Sequence, residues 1–242
     1  MALDKNNRIN LVCISDRKYL KYLRALLKSL ALTNPEIYIH VTLINIKSRD
    51  RATASLKKIF KNIELTYVDK KFKKSHHLRA FCANYRVLAM KQLLEKEYQN
   101  ILYVDVDSIF IKNLENIASL FNNFDISIHF RNEIDQRFKV ATGVIMLNNN
   151  PKTFDFISSW FKEIQKSPTE WFADQVSFFH CYKKYIEAMS FKHLESKFID
   201  WEFNTESYIW TGKGNRKYKN MKYLKKIFEI QIIFFLKKLF KY

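Results

Sequence analysis

A chain of 242 residues, 48% hydrophobic and 16% aromatic, can enclose a substantial core, and with only three Gly and three Pro it carries no flexible linker, low-complexity segment or solenoid repeat. Its three cysteines, Cys13, Cys82 and Cys181, are far apart, odd in number and set in apolar surroundings, which excludes a disulfide framework or a cysteine zinc site and predicts a reducing compartment. The formal net charge of +18 asks for a polyanionic partner, and half of it lies between residues 213 and 242, where ten Lys or Arg stand against one acid, Glu229.

Residues 9–15 form an apolar run ending at Ser15 and Asp16, followed by Tyr19, Leu20, Leu23, Leu26, Leu27 and Leu30 at helical spacing. A strand within 36–46, an amphipathic helix over 52–60 and a strand over 63–68 ending at Asp69 continue the alternation. Three βα steps in succession predict a parallel sheet with its loops gathered at the carboxyl ends of the strands, so Ser15, Asp16 and Asp69 are expected at one edge. A long helical pattern over 78–96, carrying Arg79, Asn84 and Arg86, runs into an apolar strand over 100–110 that is broken by Asp105 and Asp107. Residues i and i+2 of an extended chain share a side, so both carboxylates can address one divalent cation. Hard oxygen donors favour Mn²⁺ or Mg²⁺ over zinc. Val106 turns the other way into apolar packing. Beyond this point the pattern predicts a short helix over 113–121 and strands over 124–129 and 140–148, the second carrying Gly143. A helix opened by Pro151 and running to about residue 166 comes next, then one around 171–177, an irregular aromatic stretch and the basic tail.

Four pieces in this order resemble the nucleotide-sugar glycosyltransferases of the GT-A type, most nearly glycosyltransferase family 8 and its bacterial surface-glycan relatives. They are the helix piece from Arg79 to Arg86, the strand carrying Asp105 and Asp107, the strand segment opened by Thr142 and Gly143, and Trp171 to Gln175. The resemblance implies an α/β, Rossmann-type, mostly parallel sheet flanked by helices. It divides the chain into a catalytic domain over 1–217 and a basic aromatic C-terminal tail over 218–242 that associates with membrane. It implies metal-dependent transfer of a sugar from a nucleotide donor, UDP-hexose above all, to a lipid-linked or surface saccharide such as lipopolysaccharide or capsule. Asp105 and Asp107 would hold Mn²⁺ or Mg²⁺ against the diphosphate, where the ion acts as Lewis acid and template. Asp174 and Gln175 would be the catalytic pair near the anomeric carbon. Ser15, Asp16, Asp69, Arg86, Val106, Thr142, Gly143, Gly212 and Lys213 would contact donor or acceptor, with Arg86 either on phosphate or ribose or behind a metal carboxylate.

Two departures stand out. Where family 8 places a metal-binding histidine, this chain has Ile209, so the third ligand is left to water, phosphate, Asp200 or His193. The stereochemistry also stays open, since an inverting enzyme needs a carboxylate base and Asp174, Asp135 and Glu133 are candidates. The apolar stretch 230–236, set among lysines, is too short to span a bilayer, for which about 20 apolar residues are needed, and predicts either an interfacial segment on an anionic leaflet or a helix docked on the body. With no apolar leader in the polar start of the chain, a cytoplasmic protein, peripheral on the membrane, is expected. The histidine pair His76 and His77, and His129, read as structural. Competing functions are a haloacid-dehalogenase-like phosphatase using Asp105, which would need an acidic pair later in the chain, and a nucleic-acid-binding protein. The second is disfavoured because the charge concentrates in an apolar tail, and no nucleic-acid partner is expected.

Overall fold

The computed structural model describes residues 8–48, 50–114 and 123–240. Among them, seven strands form one sheet in the order β3-β2-β1-β4-β7-β6-β8. The strands are β1 (Asn10–Asp16), β2 (Tyr38–Ile44), β3 (Ile63–Val68), β4 (Ile101–Val104), β6 (Ile126–Phe130), β7 (Val140–Leu147) and β8 (Phe191–His193), while β5 (Ser108–Phe110) lies outside this sheet. Parallel pairing joins β3, β2, β1 and β4, and β7 alone of the seven runs against its neighbours β4 and β6. The sheet is therefore largely parallel, as the βα alternation predicts.

Both faces are covered, which explains why the strands read as continuous apolar runs rather than as alternating ones. Along β1, Leu11 and Cys13 point into one core with Leu23, Leu26 and Leu30 of α1 (Leu20–Thr33) and Leu56 of α2 (Arg51–Ile59). Val12 and Ile14 point into the opposite core. There they meet Val87 and Met90 of α3 (Ser75–Glu95), Trp160 of α4 (Pro151–Ile164) and Phe178 of α5 (Ala173–Tyr185). Side-chain caps set several helix starts: Asp50 accepts from the Ala52 amide, and Asn150 accepts from the Thr153 amide ahead of Pro151.

Two differences from the sequence reading have physical causes. The run 100–110 is two strands, because the Ser108 amide donates to the Asp105 carbonyl (2.9 Å) and turns the chain. β5 then leaves the main sheet to pair antiparallel with β9 (Ile209–Thr211). The helix around 171–177 starts two residues later and runs on to Tyr185, with Phe172 ahead of it in a left-handed conformation, φ 69°. The tail is a helix pair, α6 (Arg216–Lys219) and α7 (Met221–Leu239), whose Tyr223 and Ile230 pack on Tyr22 and Ala25 of α1 and on Ile109, Phe203 and Trp210. The helix expected over 113–121 falls, after residue 114, outside the described residues.

Candidate active site

The order β2-β1-β4 places the reversal of strand order between β1 and β4, and the loops that follow these strands diverge around a cleft of about 630 Å³. A crevice at the carboxyl ends of strands, at such a switch point, is where open α/β sheets bind ligands. Asp16 enters it from the end of β1, Asp105 and Asp107 from the turn after β4, Arg79, Cys82 and Arg86 from α3, Thr142 and Gly143 from β7, and Lys213 and Lys217 from the segment after β9. Six cationic side chains line it against three carboxylates, so the cleft suits an anion carrying more than one charge.

Asp105 is held from behind. Its Oδ1 accepts from the Tyr103 hydroxyl (2.9 Å) and lies 3.3 Å from Arg86 Nη2, while its amide donates to the Gly143 carbonyl (2.8 Å). Burial raises its carboxyl to about 6 although Arg86 pulls the other way. Space at Gly143 is tight, since a Cβ there would stand 3.0 Å from Asp105 Oδ2 and the carboxylate would have to give by a few tenths of an ångström. Arg86 also donates to the Thr142 carbonyl, and its Nε lies 3.6 Å from Asp174 Oδ2. This buried guanidinium therefore braces two carboxylates and a strand.

Asp107 is paired more tightly. Lys217 Nζ donates to its Oδ2 (2.6 Å) and to the Tyr19 hydroxyl oxygen (3.1 Å), and the Asp107 and Lys217 side chains are 10% and 8% exposed. Burial by itself would lower the Lys217 ammonium, but the Asp107 carboxylate reverses this and holds it above the usual lysine range. The Asp107 carbonyl accepts from the Tyr223 hydroxyl (2.6 Å) and the Gly212 amide (2.9 Å).

The resemblance carried by the sequence implies a divalent metal ion, and the donor set here does not fit one. Each carboxylate of the pair already faces a cation of the chain itself, Arg86 on Asp105 and Lys217 on Asp107. Ile209 is fully buried in the core. Asp200 spends its carboxylate on the amides of Glu202, Phe203 and Asn204 and on the Ser207 hydroxyl, and neither it nor His193 reaches the cleft wall. Among the described residues, no group of three or more His, Cys, Asp or Glu side chains is arranged to hold a metal ion.

The other expected residues separate into two sets. Asp16, Arg86, Val106, Thr142, Gly143, Gln175 and Lys213 line the cleft. Gln175, with its amide nitrogen turned toward them, donates to the carbonyls of Val140 (2.7 Å) and Arg137 (2.8 Å). Ser15 is buried, with its hydroxyl on the Asp16 carbonyl, and Asp69 is exposed; neither lines the cleft. Asp174 lies beneath the wall, its Oδ2 accepting from the Thr142 hydroxyl (2.6 Å) and its carbonyl from Trp160 Nε1 (2.8 Å). Gly212 likewise sits behind it: a Cβ there would meet Lys217 Cβ at 2.8 Å and the Tyr223 hydroxyl at 3.0 Å. Asp135 is paired with Arg137, and neither it nor Glu133 reaches the wall. Sequence reasoning missed Lys217, Tyr19, Tyr103, Arg131 and Trp201, all on the wall. Tyr103 carries a usable signal, two residues before Asp105 on the same strand side; the others have none.

This architecture is that of the GT-A glycosyltransferases. The glycosyltransferase GlyE of Streptococcus pneumoniae TIGR4 superposes with a TM-score of 0.62 at 14% identity, covering 96% of this chain and 64% of its own. Mouse xyloside xylosyltransferase 1 gives 0.55 at 16% identity, covering 86% and 99%. The galactosyltransferase LgtC, in complex with donor and acceptor sugar analogs, gives 0.56 at 16% identity, covering 91% and 94%. The chain thus spans under two thirds of the length of GlyE. No curated protein matches it in sequence. Residues 46–230 match the nucleotide-diphospho-sugar transferase model, and the chain belongs to that family.

Proposed function

We propose that the chain transfers a hexose from a nucleoside diphosphate donor, UDP-linked, to a saccharide acceptor carried on a lipid or a surface glycan. The observation that carries the reading is the cationic cleft at the β1/β4 switch point, in a chain of the nucleotide-diphospho-sugar transferase family. Breaking the bond between the sugar and the diphosphate leaves negative charge on phosphate oxygen, and preorganised cations that offset it lower the barrier. Lys213, whose ammonium lies 4.4 Å from the centre of the Trp201 ring, and Arg131, whose guanidinium lies 5.4 Å from the same ring, are two of the four wall cations without a carboxylate of the pair against them. Asp16, Tyr19 and Arg79 form the nucleoside end; Thr142, Gly143, Trp171 and Gln175 form the sugar and acceptor end. Gln175 faces the reacting sugar from the cleft wall, and Asp174 acts through Thr142 and Arg86, which it holds in place.

A lipid-linked acceptor and a peripheral place on the membrane draw support from α7. Its exposed side carries Phe228, Phe235 and Leu236 between lysines, and among the described residues no helix is long and apolar enough to cross a membrane. Titration calorimetry with UDP and GDP tests the donor class. Binding of one of them, weakened at least tenfold by Lys213→Ala, supports it; no binding of either overturns it.

A further inference from the structure

The pair Asp107 and Lys217 has the features of a built ion site. Both side chains are nearly enclosed, the ammonium has a second oxygen partner in Tyr19, and the rings of Tyr19 and Tyr218 lie 4.7 and 5.7 Å from it. The backbone is shaped around it, since only a glycine at 212 leaves room for the Lys217 stem. The opening left to Lys217 gives onto the cleft, beside Lys213 and the Asp105 turn. A divalent ion on Asp107 would have to sit against this ammonium, and like charges a few ångströms apart in a partly dry site repel strongly.

We propose that Lys217 is the resident cation of this site: it contacts the donor diphosphate directly, and the donor binds with no divalent ion between the aspartates and the phosphates. This rests on the nucleotide-sugar reading above. When the sugar C1–O bond breaks, its electron pair stays on the phosphate oxygen, where Lys217 and Lys213 offset the charge. The acceptor oxygen forms the new bond to C1 and gives up its proton to water. Asp107 then has the role of positioning Lys217, and Arg86 that of positioning Asp105.

The test is calorimetric titration of UDP and GDP in EDTA and in Mn²⁺, with wild type, Lys217→Met and Lys217→Arg. Expected are wild-type affinities that differ less than threefold between EDTA and Mn²⁺, a loss of at least tenfold in Lys217→Met under both conditions, and recovery in Lys217→Arg. Binding that requires Mn²⁺, or that Lys217→Met leaves intact, overturns the proposal while sparing the donor class. Binding of neither nucleotide under either condition overturns both. Because Lys217→Met leaves Asp107 buried without its partner and is at risk of misfolding, wild type is also titrated with Mn²⁺ alone and followed by the free-ion electron paramagnetic resonance signal. An unchanged signal is expected; stoichiometric uptake that Asp107→Asn abolishes overturns the proposal without any variant at Lys217.

Discussion

At Asp174 the carboxylate accepts the Thr142 hydroxyl and faces the Arg86 guanidinium, with 3% and 7% of the two ionic side chains exposed. Asp174→Asn removes one of the two carboxylates that face the buried Arg86 and leaves Asp105 in place, so it is expected to lower stability by about 1.5–3 kcal/mol in urea unfolding, the range of a lost hydrogen bond to a charged group. A residue acting only on substrate would lose turnover with stability unchanged, and the two measurements together separate the roles. Lys213 gives a pH signature. Burial, with Arg131 and Arg216 nearby, lowers its ammonium to about 8. The group is charged below that pH and neutral above it, so affinity for a nucleoside diphosphate should hold through pH 7 and fall as pH rises through 8. Lys213→Arg, which stays charged, should flatten that profile in the same titration. Asp105, Asp107 and Gly143 could be read from the chain because their signal is local: an apolar strand interrupted by carboxylates, and a lone glycine in another apolar run. Lys217 could not, because it is one of ten cations in its stretch and only folding brings it to Asp107, 110 residues earlier.

Among the elements, α7 matters most to the site. Tyr223 is fully buried, its ring 5.2 Å from that of Phe203, and its hydroxyl supports the Asp107 carbonyl. Tyr223→Ala should cost about 3–5 kcal/mol, read as a lower midpoint in denaturant, through the cavity and the lost hydrogen bond. Gly212→Ala should lower both thermal stability and nucleotide affinity, since its methyl group pushes Lys217 and Tyr223 off Asp107. The βα alternation of the first 100 residues was legible because helical and strand periods differ and both sheet faces are buried. The division of 100–110 into two strands was not, since β5 and β9 pair across about 100 residues and neither has a pattern of its own.

For the whole molecule, the charge of +18 and the exposed apolar residues of α7 together predict attraction to an anionic membrane surface. Phe228 and Phe235 are 63% and 60% exposed. Flotation with anionic vesicles is expected to carry the protein, to weaken at about 0.5 M salt as screening shortens the electrostatic range, and to fail in Phe228→Ser/Phe235→Ser. Point substitutions suit this test better than deleting residues 218–242, which would also remove Tyr223 from beneath Asp107. By itself the sequence determined the class of fold and the strand end that carries the acidic pair, and its net charge set the expectation of a polyanionic partner. Periodicity, local apolar runs and net charge do not depend on which distant segments meet. Only the tertiary structure decided that each aspartate faces a cation of the chain, that Asp174 is a brace beneath the wall and that the tail helix supports the cleft. Those are contacts between segments far apart in the chain, and burial sets their electrostatics.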